Sequence, residues 1–294
     1  MDKIKLDKMK NDKGFIAALD QSGGSTPKAL ENYGISRESY ESDEEMFKLV
    51  HEMRTRIIKS KSFTGDKIIG AILFEVTMDS KIDGKYTADY LWEEKHILPF
   101  LKVDSGLAEA KDGVRLMKDI TDLDEKIKRA KERNIFGTKM RSVIDEANET
   151  GIKEIVKQQF EFAKRIAEGG LVPIVEPEVT ITIHDKAKAE EMLRNELVEA
   201  MKSWGDKPIM FKLSLPEEAN LYDVLCDFDA TIRVVALSGG YSLDEANRRL
   251  SMNHNMIASF SRALVAELNY NQSEDEFDQK LKEAVNSIYE ASIK

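Results

Sequence analysis

The sequence predicts an α/β fold, a single (β/α)8 TIM barrel that occupies residues 1–294 as one domain. Eight short, nearly continuous apolar runs alternate with longer segments of helical period, which is the pattern of parallel strands covered on both faces. No Pro-, Gly- or Ser-rich linker interrupts the series, and 294 residues suit one barrel of this kind. No GxGxxG follows the first run, so a closed barrel is favoured over an open, doubly wound sheet.

The predicted strands are apolar runs of five to eight residues. They cover 14–20, 68–75, 98–103, 134–141, 171–178, 208–214, 232–238 and 256–260.

The intervening segments carry signals for the beginning and end of helices. SDEE (42–45), SLDE (242–245) and SEDE (273–276) have the form of a capping box, in which a Ser and a Glu satisfy free N–H groups at a helix N-terminus. Gly169-Gly170 and Gly205 predict two helix C-termini.

The composition excludes several classes of partner. A net charge of −10 and a pI near 5.2 argue against nucleic-acid binding, because a phosphate backbone would repel the chain. No segment approaches the roughly 18–20 consecutive apolar residues that a membrane span needs. The charged start, MDKIKLDKMK, does not read as a secretory signal. A cytoplasmic protein without nucleic-acid or membrane partners is expected.

Cysteine and histidine usage argue against disulfides and metals. The only cysteine, Cys226, cannot form an internal disulfide, which fits a reducing compartment, and its surroundings in LYDVLCDF predict a core thiol. The four histidines show neither HxH nor HExxH spacing, so a zinc site is not expected. No cofactor is predicted.

Polar side chains interrupt the apolar runs toward their C-terminal ends. This is the face where barrel enzymes assemble their active sites. A single strand-end charge usually just reaches solvent, but buried charges are costly unless paired, so the repetition around the barrel predicts a polar site. The residues concerned are Asp20, Glu75, Lys102, Asp104, Lys139, Arg141, Glu176, Glu178, Lys212, Ser238 and, after the last strand, Arg262.

Lys212, in PIMFKLSL, is the strongest candidate nucleophile. An amine must be uncharged to attack a carbonyl, whereas free lysine is almost always protonated at pH 7. Partial burial and a neighbouring cation such as Lys139 favour the uncharged form. Glu176, expected on the opposite side of the barrel, is a candidate for moving protons. The alternatives are a strand-end lysine that reaches solvent and a Glu176 that only pairs with Lys139 or Arg141.

Two glycine loops predict phosphate binding. SGGS (22–25) follows the first strand and SGGYS (238–242) the seventh, and each offers backbone N–H groups and hydroxyls to an anion. One such loop is weak evidence, since turns need glycine anyway. With Lys102 and Arg262 nearby, the two loops indicate a substrate with two phosphates. The predicted contacts include Ser22, Ser25, Ser238, Gly239 and Gly240.

These motifs resemble the class I fructose-bisphosphate aldolases through nearly the whole chain. They are, in order, GFIAALDQSGGS, LKVDSG, FGTKMRSVI, LVPIVEPE, MFKLSL, ALSGGYS and SFSRAL. The resemblance implies a (β/α)8 lyase that reversibly cleaves fructose 1,6-bisphosphate to dihydroxyacetone phosphate and glyceraldehyde 3-phosphate, in glycolysis and gluconeogenesis and without a metal. It is also compatible with a homo-oligomer, because the family forms tetramers and smaller assemblies.

The resemblance also implies roles for individual residues. Lys212 corresponds to the Schiff-base lysine, Glu176 to the proton-transfer group, Asp20 to the acceptor of the C4 hydroxyl proton, and Lys139 to a stabiliser of charge. Contacts to the far phosphate are implied for Arg141, Lys102 and Ser25, and contacts to the phosphate of the ketose end for Ser238, Gly239 and Arg262. Glu178 is expected to orient its neighbours.

The sequence departs from the family at two places. Ala29 stands where eukaryotic members carry an arginine, which removes one contact to the far phosphate. The chain ends soon after its last predicted helix without a terminal tyrosine tail, and Tyr289 is expected to pack in that helix. The group that protonates the enamine is therefore unassigned. Two alternatives stay open: another Schiff-base barrel such as a transaldolase or one-phosphate aldolase, and a barrel with an added surface-binding role.

Overall fold

The computed structural model describes residues 2–294 and has eight parallel strands that form a nearly closed barrel. Each strand is hydrogen-bonded to the next in chain order, and the Ala18 N–H donates to the Phe260 carbonyl (3.1 Å) between the first strand and the last. The predicted (β/α)8 barrel is confirmed. The barrel strands are β1 (Phe15–Leu19), β2 (Ile68–Leu73), β5 (Leu98–Lys102), β7 (Gly137–Ile144), β8 (Val172–Val179), β9 (Ile209–Ser214), β10 (Thr231–Leu237) and β11 (Met256–Ala258).

Three shorter strands lie outside this circle. β3 (Lys81–Ile82) and β4 (Lys85–Tyr86) form an antiparallel hairpin, and β6 (Val114–Arg115) pairs antiparallel with β7. Among the described residues, no helix is both long and apolar enough to cross a bilayer. The helices are α1 (Lys3–Asn11), α2 (Ser25–Asn32), α3 (Asp43–Lys59), α4 (Glu75–Asp79), α5 (Thr87–Glu93), α6 (Leu123–Glu132), α7 (Glu149–Glu168), α8 (Lys186–Lys202), α9 (Leu243–Leu250), α10 (Arg262–Val265) and α11 (Glu274–Ser292).

All eight predicted strands are present, and the fourth is displaced by three residues. Residues 134–136 form the turn that follows α6, in which Asn134 has a φ of 55° and the Ile135 N–H donates to the Ala130 carbonyl. The strand then continues to Ile144, because residues 141–144 pair with residues 176–179 of β8. Lys139 and Arg141 therefore lie within β7 and not at its end.

The three predicted capping boxes differ in completeness. Ser273 and Glu276 form the full reciprocal pair at the start of α11. Ser42 and Ser242 accept the N3 backbone N–H as predicted, but the carboxylates of Glu45 and Glu245 bond elsewhere, the latter to arginines of α9. The helix ends predicted at Gly169 and Gly205 are confirmed to within three residues.

Along four barrel strands, β1, β5, β8 and β9, the side chains that face the interior change from apolar to polar. Ile16 and Ala18 of β1 belong to the inner apolar cluster, and Asp20 is the next residue of that alternation. Met210 and then Lys212 follow the same order in β9. The same switch separates Phe100 from Lys102 and Ile174 from Glu176. Apolar side chains thus fill the N-terminal part of the barrel, and the polar positions gather at its C-terminal mouth.

The N-terminal end of the barrel is closed by α1. Met9 is fully buried and packs into the inner apolar cluster, and its carbonyl accepts a hydrogen bond from Arg233 Nε (2.8 Å). Solvent therefore reaches the barrel interior from the opposite, polar end.

The prediction for Cys226 is wrong, because its side chain is exposed. The segment Asp223–Asp227 is a 3₁₀ helix, in which Leu225 takes the buried position. Three residues per turn shift the buried face away from the one that α-helical spacing predicts.

Candidate active site

Lys139 lies at the centre of the polar cluster that the strand ends bring together. Its Nζ is 2.7 Å from Asp20 Oδ2, 3.0 Å from Glu176 Oε2 and 4.0 Å from Asp104 Oδ2. The residue is 3% exposed, so these carboxylates take the place of water around the ammonium. One lysine on β7 thereby joins the ends of β1, β5 and β8.

Lys212 is 4% exposed, and its Nζ is 3.0 Å from Glu176 Oε1. Val175 of β8 pairs with Phe211 of β9, so Glu176 and Lys212, next along each strand, lie side by side. The expectation that they face each other across the barrel is therefore wrong. Consecutive barrel strands are neighbours, and this proximity lets one carboxylate bridge Lys212 and Lys139.

Asp104 and Lys102 form a second pair at the same rim. Asp104 Oδ1 is 2.8 Å from Lys102 Nζ, and Oδ2 accepts the Arg141 backbone N–H at 3.3 Å. Asp104 was among the strand-end charges but not among the predicted site residues. The sequence signal for Asp104 is its position in LKVDSG, two residues after Lys102, which places both side chains on the same side of an extended chain.

Arg141 and Glu178 form an outer pair, nearer the mouth than Lys139 and Glu176. Each stands two residues further along its strand, and their side chains are 3.0 Å apart. Arg141 is half-exposed, so its guanidinium is accessible to a ligand above the buried cluster.

The buried charges stabilise each other in ionised form. Burial alone raises the pKa of Asp20, but Lys139 and Lys212 outweigh it and hold that pKa well below its ordinary range. Burial likewise raises the pKa of Asp104, but Lys139 and Lys102 together outweigh it, so the net pKa is lowered. Burial acts to lower the pKa of Lys139, but Asp20, Glu176 and Asp104 outweigh it, so this pKa lies above the ordinary value for lysine. The cluster thus holds charged groups at neutral pH.

The first glycine loop sits between β1 and α2. Ser25 is exposed, and its Oγ donates to the Ser22 carbonyl (2.8 Å) and accepts the Ser22 N–H (3.0 Å). Gly24 is the N-cap of α2, and no side chain caps this helix. Ala29 of α2 offers no cation, so the charge for an anion here must come from other elements.

The second glycine loop packs against the loop after β8. A Cβ at Gly239 would lie 2.6 Å from Ile181 Cγ2, and the φ of 61° already favours glycine. A Cβ at Gly240 would lie 3.7 Å from Arg262 Nη2. Arg262, the first residue of α10, therefore lies close to this loop, and Ser238 is buried at the start of the loop.

Glu75 is the strand-end charge that does not join the cluster. It begins α4 and pairs with Lys126 (3.2 Å) and Arg129 (3.4 Å) of α6. Its role is to tie two outer helices together. Within residues 2–294, no group of three or more His, Cys, Asp or Glu side chains is arranged to hold a metal ion.

A closed barrel with a buried lysine–carboxylate cluster at its C-terminal mouth has the organisation of a barrel enzyme. A family model, fructose-bisphosphate aldolase class-I, matches residues 3–219. The chain belongs to this family of lyases. The matched residues include the cluster around Lys139 and Lys212 and end before the second glycine loop and Arg262.

Among solved structures, the chain is similar to the fructose-bisphosphate aldolase of Plasmodium falciparum in a ternary complex with TRAP and a small-molecule inhibitor. The TM-score is 0.80 at 22% identity, covering 98% of this chain and 92% of that one. At this identity the likeness establishes a shared fold.

Proposed function

We propose that this chain is a metal-independent fructose-bisphosphate aldolase. It would cleave fructose 1,6-bisphosphate reversibly to dihydroxyacetone phosphate and glyceraldehyde 3-phosphate, in glycolysis and gluconeogenesis in the cytoplasm, with residues 1–294 acting as one barrel domain. The observation that carries the proposal is the buried amine of Lys212, 3.0 Å from Glu176 at the barrel mouth.

The first step is formation of an imine at C2. Transfer of a proton from the Lys212 ammonium to Glu176 leaves a neutral amine, which attacks the C2 carbonyl to give a carbinolamine. Glu176 returns the proton to the C2 oxygen, which leaves as water, and the nitrogen lone pair forms the C=N bond. Lys139, kept positively charged by its three carboxylate neighbours, favours the negative charge that develops on the oxygen.

The second step breaks the C3–C4 bond. Asp20 takes the proton of the C4 hydroxyl, the C4–O bond becomes the aldehyde carbonyl, and the electron pair of C3–C4 moves into the iminium as an enamine. Asp20 is a carboxylate at neutral pH and is therefore in the accepting form. Protonation at C3 and addition of water to the imine then release dihydroxyacetone phosphate and restore the lysine.

Two cationic sites suit the two phosphates. The loop of Ser238, Gly239 and Gly240 with Arg262 would hold the phosphate of the ketose end. Ser22, Ser25, Lys102 and Arg141 would hold the other, with Arg141 as its accessible guanidinium.

Comparison of two ketose substrates in the presence of EDTA tests this proposal. The chain should cleave fructose 1,6-bisphosphate with a kcat/KM about 10- to 100-fold above that for fructose 1-phosphate, because charge-assisted contacts to the second phosphate are lost. Activity should be the same with and without the chelator. Equal use of both substrates would favour a one-phosphate aldolase, and loss of activity in EDTA would contradict a metal-independent mechanism.

A further inference from the structure

Arg54 is the largest fully buried side chain of the described residues, and it lies beneath the end of β1. It is 1% exposed and belongs to α3, on the same stripe as Val50 and Ile57. Burying a guanidinium costs free energy unless its donors are satisfied. A charged residue on the core-facing side of a helix therefore calls for a reason beyond packing.

The guanidinium of Arg54 is held by neutral oxygens. Nη1 donates to Thr77 Oγ1 (2.6 Å), and Nη2 donates to the backbone carbonyl of Gln21 (2.6 Å). Among residues 2–294 it forms no ion pair with a carboxylate, although the charge of Asp20 acts on it. Burial lowers the pKa of Arg54 to about 10, against the opposing effect of Asp20, so the group stays positively charged at neutral pH.

Gln21 connects Arg54 to two parts of the candidate active site. It directly follows Asp20, so the bond to its carbonyl fixes the backbone from which the Asp20 side chain projects. Its own Nε2 donates to Ser261 Oγ (2.7 Å), next to Arg262. Arg54 thus supports, through one glutamine, both the Asp20 carboxylate and the loop of Arg262.

We infer that Arg54 is a positioning residue for carbon–carbon bond cleavage, which holds Asp20 at the site through Gln21 while touching no substrate itself. This inference rests on the proposed function. It predicts a selective defect, because Asp20 serves the cleavage step, whereas trapping of a ketone on Lys212 depends on Lys212 and Glu176.

Arg56 provides a matched control on the same helix. Its guanidinium also donates to backbone carbonyls, those of Tyr270 and Gln272, and stacks on Phe277. These contacts join α3 to the start of α11 and to the loop before it, and they involve none of the residues of the lysine–carboxylate cluster. Arg56→Met should lower stability and leave both cleavage and trapping unchanged.

The test compares two readouts in the native chain, Arg54→Met and Arg56→Met. One is kcat for fructose 1,6-bisphosphate, and the other is the amount of borohydride-reduced dihydroxyacetone phosphate on Lys212. Arg54→Met should lose about 100-fold in kcat with little change in KM, while trapping stays within about twofold, since misplacing a reacting group affects only the step that uses it.

The outcomes separate the two proposals. Arg54→Met with native cleavage, or with cleavage and trapping reduced in equal proportion, would show a merely structural arginine and contradict the inference alone. A native chain that yields neither readout would overturn the proposed function and this inference with it. If Arg54→Met does not fold, Arg54→Lys, which keeps the charge but not the double contact, gives the same comparison and is judged in the same way.

Discussion

Replacing Lys212 with Met should lower kcat for fructose 1,6-bisphosphate cleavage by at least about 10⁴-fold, the scale seen when a covalent nucleophile is removed. Without the amine no imine forms at C2, and the C3–C4 electron pair has no acceptor. A steady-state assay of the purified variant measures the loss. Lys207→Met, which removes an exposed lysine just before β9, should retain native turnover.

The Lys212→Met variant should still fold as a barrel. Methionine keeps the apolar stem of the side chain, and Glu176 retains its contact with Lys139 at 3.0 Å, so no buried carboxylate is left without a cation. Circular dichroism and thermal unfolding would verify this. Turnover within tenfold of the native chain, measured on a folded sample, would exclude the proposed role.

Lys139→Met should be the most destabilising change in the cluster, at about 3–5 kcal/mol, the range for removing one partner of a buried ion pair. Lys139 is the shared cation of Asp20, Glu176 and Asp104. Its loss leaves the buried Asp20 without an ion-pair partner among the described residues, whereas Glu176 and Asp104 keep Lys212 and Lys102. Chemical denaturation at pH 7 gives the free energy of unfolding.

The effect of Lys139→Met should depend on pH in a defined direction. Asp20 and Asp104 have folded-state pKa values below their unfolded ones, so the stability they contribute is present above about pH 4 and is lost as the pH falls. Since the charge of Lys139 does most to lower both pKa values, the difference in unfolding free energy between the variant and the native chain should be largest near neutral pH and should narrow below about pH 4. A difference that stays constant as the pH falls from about 4 to about 2 would contradict this account.

Lys85 supplies the control for that experiment. It also pairs with two carboxylates, Glu93 (2.7 Å) and Glu94 (2.5 Å), but on an exposed surface where water screens the charges. Lys85→Met should hardly move the unfolding midpoint at any pH.

The fold could be predicted from the sequence because one physical pattern repeats eight times. Apolar runs buried on both faces fit either a barrel covered by helices or an open, doubly wound sheet, and the absence of GxGxxG after the first run favours the barrel. The ends of the strands are harder to predict where apolar residues continue beyond the strand. Ile135 and Phe136 are apolar and extend the fourth run backwards, yet they lie in the connection between α6 and β7, in which Asn134 has left-handed backbone angles.

The site was predictable as a set of residues and less so as a geometry. Asp20, Lys139, Glu176 and Lys212 do meet at one rim, because parallel strands present their C-terminal ends together. Glu75 does not join them, because it pairs with α6. Which charges form ion pairs depends on the register between neighbouring strands, and the sequence alone does not give that register. Glu176 lies beside Lys212 because Val175 of β8 pairs with Phe211 of β9. Arg54 could have been noticed as a charge on the buried stripe of α3.

The most direct test of the central claim is chemical capture of the imine. The chain is incubated with dihydroxyacetone phosphate in EDTA, reduced with borohydride and digested, and the modified peptide is located by mass spectrometry. The account predicts a stable adduct on Lys212, in the same yield without chelator, and none in Lys212→Met. An adduct on a different lysine, or none at all in an active preparation, would contradict it.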